Sequence, residues 1–211
     1  MINTLIFDFG DVFINLDKQA PYTEMKKLGI SAFSKEMDEF NKSYEIGRVS
    51  TDDFFNFYQN LLPHSTKFEI ANAWNSIILD FPEYRLDFLK ELSKSKKYQL
   101  ILLSNTNDLH IEKVIANMTL KRFLKFKECF DAFYLSQEIN LRKPHKNIYD
   151  FVLKKHNVSA SNCFFVDDTL ENIITAKKLG IHTWNIEPNT EDVINLFDTN
   201  KSILNPFKKL T

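Results

Sequence analysis

The sequence is poor in chain breakers. Its 211 residues hold only four glycines and six prolines. That excludes a collagen-like or linker-rich chain and makes each glycine a position worth locating. Cysteine is scarce as well: Cys129 and Cys163 stand far apart with no CxxC spacing. A disulfide framework and a thiolate zinc site are thereby excluded, and a reducing compartment is expected. The five histidines form no HxH or HxxxH pair, which removes the usual histidine metal sites. Net charge is absent too, since 27 basic residues against 28 acidic ones leave −1. No global attraction to nucleic acid or to an anionic membrane follows from such a balance. The longest apolar run near a possible span, Leu100 to Leu103, is far too short to cross a bilayer. The first residues, MINTLIFDFGDVF, have no basic leader and meet Asp8 early, so they do not read as a signal peptide. The expectation is a soluble, cytoplasmic protein.

What the sequence has in quantity is apolar bulk. It is 44% hydrophobic and contains twenty phenylalanines, enough for a sizeable core without staples. Three short apolar runs end in polar residues: Thr4 to Phe7 before Asp8, Gln99 to Leu103 before Ser104-Asn105, and Cys163 to Val166 before Asp167-Asp168. Near-continuous runs of this kind suit strands buried on both faces of a parallel sheet. Weaker runs at Ala132 to Leu135 and His182 to Ile186 complete the predicted sheet. Helical patterns fall between them, over Tyr84 to Ser95, Lys146 to His156 and Leu170 to Leu179, the last stopping at Gly180. Alternating strands and helices predict an α/β fold with a doubly wound parallel sheet.

Residues 16–80 contain no strand-like run, and their helical stretches break at Gly29, Gly47 and Pro63. Ser50 followed by Asp53 predicts a capped helix over Thr51 to Leu62. The expected organisation is a core of residues 1–15 and 81–211 with a small all-helical cap, 16–80, inserted after the first strand. Tyr44, Arg48 and Trp74 in this insert are candidates to face a ligand, with burial in its core as the commoner role for such residues. The basic run Lys121 to Lys127 reads as a solvated amphipathic helix, and Cys163 as a core residue.

Ligands of open α/β sheets bind beyond the carboxyl ends of the strands. Those ends present Asp8, Ser104, Asn105, Asp167 and Asp168, and Lys143 precedes Pro144 in a loop before a helix. Clustered carboxylates repel unless a cation joins them, and an oxygen-only set favours Mg²⁺ over zinc. A divalent cation, a lysine and a hydroxyl together suit a phosphoryl group, and an aspartate held against it can act as nucleophile.

Four segments in order, LIFDFGDV, LILLSNTND, INLRKPHKNIYDFVL and CFFVDDTLENIITAKKLGIHTW, resemble the motifs of the haloacid dehalogenase-like hydrolases, specifically their helical-capped, phosphatase-type branch. The resemblance implies a Rossmann-like core, a Mg²⁺ cofactor and a small phosphorylated metabolite as partner. It also implies a role for each matching residue. Asp8 would attack phosphorus to form an aspartyl-phosphate and would also bind the metal. Ser104 would hold phosphoryl oxygens, Asn105 would help orient substrate, and Lys143 would pair with Asp8 and neutralise charge. Asp168 would ligate the metal, with Asp167 ligating directly or holding a bound water, and Gly10 would contribute its carbonyl.

Gly10 is also a departure, because the family's phosphatases usually carry a general acid–base aspartate there. Asp11, next to it, is expected to point away from the site in an extended segment. Subgroup members with the same FDxG pattern include sugar-1-phosphate phosphatases, whose leaving group needs less help. Two alternatives stay open at this level: a 2-haloacid dehalogenase on the same fold, and a binding or regulatory member with impaired turnover.

Overall fold

Strands that are apolar at nearly every position are stable only when both faces are covered. The computed structural model, which describes residues 1–204, meets that requirement with a five-stranded parallel sheet. In chain order the first elements are β1 (Thr4–Phe7), α1 (Ala20–Leu28), α2 (Lys35–Glu45), α3 (Thr51–Leu61), α4 (Lys67–Asn75) and α5 (Glu83–Lys94). Then come β2 (Gln99–Ser104), α6 (Asp108–Met118), α7 (Leu120–Lys127), β3 (Ala132–Leu135), α8 (Ser136–Ile139) and α9 (Lys146–His156). The remainder is β4 (Cys163–Asp167), α10 (Leu170–Lys178), β5 (His182–Asn185) and α11 (Leu196–Thr199).

The strand order is β3-β2-β1-β4-β5. The chain winds outward from β1 through β2 to β3, then returns to the other side of β1, so the order reverses between β1 and β4. Side chains alternate across the sheet. Leu5, Phe7, Leu100, Leu102, Phe164 and Val166 pack on one face with Leu86 and Leu89 of α5, Val114 of α6 and Phe126 of α7. Ile6, Ile101, Leu103 and Phe165 pack on the other with Ile148 and Val152 of α9 and Ile173 of α10. The basic helix α7 buries Phe123 and Phe126, and both cysteines are buried. No helix among the described residues is long and apolar enough to cross a membrane.

Helices α1 to α4 gather a third core around Met25, Tyr44, Phe54, Tyr58, Ile70 and Trp74, joined by Leu109 of α6. Their ends are closed locally. The Ser50 side chain accepts from Asp53 N, as its spacing predicts. A full capping box stands at Thr66 and Glu69, where each side chain accepts from the other's backbone N–H. Tyr44 is thus a core residue, stacked on Phe54 with ring centroids 4.6 Å apart, and Arg48 is exposed.

Phe126 is the hub of the first core. Its ring lies 5.1 Å from Phe9, 5.3 Å from Phe13, 5.1 Å from Phe81 and 5.1 Å from Phe130, centroid to centroid. Truncation would leave a cavity that four rings cannot easily close. Phe126→Ala is expected to cost about 3–5 kcal/mol in urea unfolding, against at most about 0.5 kcal/mol for Phe68→Ala, whose side chain is exposed. Similar losses for both would place the stabilising contacts elsewhere.

Candidate active site

Strand register brings the site together. Phe7 is level with Leu102 of β2 and Val166 of β4, so Asp8 comes level with Leu103 and Asp167. Asp8 N donates to Val166 O at 2.9 Å, fixing the start of the loop. Ser104 and Asp168 follow one residue further along. All of this lies where the strand order reverses, the position at which ligand crevices form in such sheets.

Lys143 arrives from the loop before α9 and is 1% exposed. Its Nζ lies 2.8 Å from Asp8 Oδ1 and 2.6 Å from Asp167 Oδ2. Burial works against its charge, but Asp167 and Asp8 outweigh that and hold it above the usual lysine range. Asn105 places this lysine: its Oδ1 accepts from Lys143 N and its Nδ2 donates to Lys143 O, both at 2.9 Å. Both ends of that amide are therefore engaged by the lysine's backbone.

Asp167 is held from several directions. Asn172 Nδ2 donates to both its oxygens at 3.0 Å, and Thr169 N donates to Oδ1 at 2.8 Å. Asn172 was not expected from the sequence, although its place five residues after Asp167, in the helix that follows, was a usable signal. Asp8, Asp167 and Asp168 offer one carboxylate oxygen each, all within 4.8 Å of one another. Hard oxygen donors at this spacing fit a small divalent cation. Asp8 itself is pushed up to about 7, first by burial and then by Asp167 and Asp168, against the pull of Lys143. That is the behaviour of a carboxylate short of positive charge.

The loop after β1 differs from expectation. Asp11 is not extended but left-handed, at φ 53°, and its Oδ1 accepts from Leu16 N at 3.0 Å. This turns its carboxylate back toward the site, where Lys18 Nζ contacts both Asp11 and Asp168. Lys18 carried no motif signal; only the folding of residues 9–16 brings it here. Gly10 does not need a glycine-only backbone, since its φ is not positive, but an added Cβ would meet Leu16 Cδ1 at 2.6 Å.

A cavity of about 350 Å³ beside Lys18 is lined by Tyr22, Asn41, Trp74, His110 and Arg142. The Trp74 and His110 rings stack, with centroids 5.1 Å apart. Burial pushes His110 down to about 4, so it is neutral, and it reaches the Trp74 carbonyl and the Asn107 amide. A larger cleft of about 940 Å³ opens on the other side of Lys18, among Asp11, Asp80, Glu187 and Asp192. Its walls are mainly acidic, whereas Lys18, Lys42 and Arg142 outnumber Asp38 and Glu45 around the smaller cavity.

Helix α2 and the turn after it meet the lysine loop along a tight seam. Arg142 Nη2 lies 2.9 Å from Glu45 Oε2, and Asn140 Nδ2 donates to Ile46 O at 2.8 Å. Gly47, at φ 69°, sits so close that a Cβ there would be 2.3 Å from the Gln137 carbonyl oxygen. Only glycine fits this position.

The profile of the haloacid dehalogenase-like hydrolases matches residues 2–180. The D-ribitol-5-phosphate phosphatase of Bacteroides thetaiotaomicron is 30% identical over 193 residues, 89% of this chain and 93% of that protein. The sesquiterpene phosphatase of Aspergillus oryzae is 26% identical over 190 residues, 83% of this chain and 85% of that protein. A haloacid dehalogenase family enzyme of Bacteroides thetaiotaomicron, solved with magnesium and inorganic phosphate, superposes with a TM-score of 0.79. It is 32% identical, over 93% of this chain and 100% of that one. The chain belongs to the haloacid dehalogenase-like hydrolase family. It is a hydrolase, and the relatives just described group it with the family's phosphatases rather than its dehalogenases.

Asp8 yields a test that needs no substrate. A carboxylate whose pKa rises from 3.8 to about 7 on folding binds its proton more tightly in the folded state. Stability is then greatest at low pH and is lost as pH rises through that window. In chelator, Asp8→Asn is expected to melt above the wild type at pH 8, the gap closing as pH falls from 7 toward 4. A gap independent of pH would show that Asp8 is not the strained group.

Proposed function

We propose that the protein is a Mg²⁺-dependent phosphatase that hydrolyses a small phosphorylated metabolite through an aspartyl-phosphate on Asp8. The observation that carries this is the buried Lys143, shared by Asp8 and Asp167, beside a third carboxylate at Asp168. Asp8, Asp168 and the Gly10 carbonyl would hold the ion, with Asp167 ligating directly or through water. Bound there, Mg²⁺ would neutralise phosphoryl oxygens and let an anionic ester approach an anionic nucleophile.

Asp8 would attack phosphorus as the bond to the leaving oxygen breaks, and Lys143 would balance charge on the transferring group. Ser104 would donate to a phosphoryl oxygen. Asn105 would act through Lys143 by holding its backbone. Water would then attack the aspartyl-phosphate, releasing inorganic phosphate and restoring Asp8. We take residues 16–80 as the cap and the rest as the core, the cap closing the 350 Å³ cavity over the leaving group. The polar and aromatic lining of that cavity suits a sugar or polyol phosphate. Two outcomes test the assignment together: Mg²⁺-dependent release of phosphate from an aryl phosphate by the wild type, and its loss in Asp8→Asn by more than about 10³-fold. Full activity in a folded Asp8→Asn would remove the aspartyl-phosphate.

With Gly10 in place of an acid, rate should follow the leaving group. Aryl and anomeric phosphates should be cleaved much faster than primary esters, the class to which D-ribitol 5-phosphate belongs. Gly10→Asp, combined with Leu16→Ala to clear the Cδ1 contact, should raise turnover of primary esters selectively, by up to about 10²-fold. Wild-type cleavage of aryl and primary esters at equal chemical-step rates would mean that another residue donates the proton.

A further inference from the structure

Asp168 already carries a cation supplied by the chain. Lys18 Nζ contacts Asp168 Oδ2 and lies 2.9 Å from Asp11 Oδ2. The two carboxylates are enclosed, with side chains 7% and 10% exposed, whereas the lysine is 51% exposed. Asp11 is fixed by its left-handed backbone and by Leu16 N. Lys18 sits on the short link before α1 and lines the cavities on both sides of it. The anchored partners are thus the acids, and the movable one is the ammonium.

Charge balance gives this arrangement a direction. Once Asp8 is ionised, Asp8, Asp167 and Asp168 carry three negative charges against the single positive charge of Lys143. A divalent ion among them completes the balance, leaving Lys18 with nothing to neutralise except Asp11. It also repels the ammonium at close range, where charges interact strongly.

We propose that Lys18 is an internal counter-ion that a divalent cation displaces from Asp168, with Asp11 as the berth to which it retreats. This rests on the acidic cluster taking Mg²⁺ and says how the metal-free protein prepares for it. Lys18 holds Asp168 in place until metal arrives. Once released, its ammonium stays against Asp11 at the edge of the cavity.

The test is calorimetric titration of MgCl₂ into the metal-stripped full chain, without substrate. Lys18→Met should bind Mg²⁺ more tightly, by about fivefold, the scale of a half-exposed ion pair. Asp11→Asn should bind it more weakly by a similar factor, because the displaced ammonium has lost its berth. Lys18→Arg should stay near the wild type. Without metal, Lys18→Met should melt below the wild type, and it should gain more on saturation with Mg²⁺. Were Lys18 only a loop strut, its removal would weaken Mg²⁺ binding or leave it unchanged, and either result overturns the proposal. Should Lys18→Met fail to fold, Lys18→Gln carries the same expectation. A wild type that takes up no Mg²⁺ at millimolar concentration would sink the metal assignment itself, whereas normal uptake with an unchanged Lys18→Met sinks this inference alone.

Discussion

A lysine ammonium with 1% of its surface exposed is tolerable only where anions replace the water it has lost. Lys143 obtains two, Asp8 and Asp167, and much of the architecture around it follows from that requirement. The carboxylates must reach it from neighbouring strands, which in-register pairing of β1 with β4 ensures. Its own backbone must be held, which Asn105 does with both ends of its amide. Asp167 must not turn away, and Asn172 grips it on both oxygens. A buried cation of this kind adds little to stability. What it supplies is a fixed positive charge between two carboxylates.

The same requirement explains how a chain with a formal charge of −1 holds such a strong local field. Acids and bases are balanced in number but not in position. Three carboxylates converge beyond the strand ends, where Lys143 and Lys18 offset them only in part, and Asp8 responds by holding its proton more tightly. His110, half-buried and stacked on Trp74, avoids the problem by staying neutral. Around this site an ionisable group is paired with opposite charge, as Lys143 is, or kept uncharged, as His110 is.

Strands and their ends were legible in the sequence because a sheet covered on both faces writes itself as unbroken apolar runs. β1, β2, β3 and β4 lie where those runs lie, and the carboxylates that follow β1 and end β4 come together beyond the strand ends. α9 matches its pattern residue for residue. Loop reversals were not legible. Placing Asp11 on the site side required a left-handed residue that composition does not announce, and Lys18 depends on that same turn. The motif around Asn105 points to a substrate contact, whereas its partners, the backbone N–H and carbonyl of Lys143, depend on where the Lys143 loop packs. The Thr66 and Glu69 capping box was readable from spacing alone, and the weaker Ser50 signal stood out before it.

The seam at Gly47 bears on how this protein can be divided into parts. With α2 docked through Glu45, Ile46 and Gly47 onto the segment from Gln137 to Arg142, that helix end and the loop that carries the buried lysine are shaped to each other. A chimera that exchanged residues 16–80 for the corresponding region of a relative would keep its covalent junctions yet mismatch this contact, and the error would be transmitted to the residue next to Arg142. The two contacting segments, Glu45 to Gly47 and Gln137 to Arg142, lie ninety or more residues apart in sequence, and a working exchange would have to move them together.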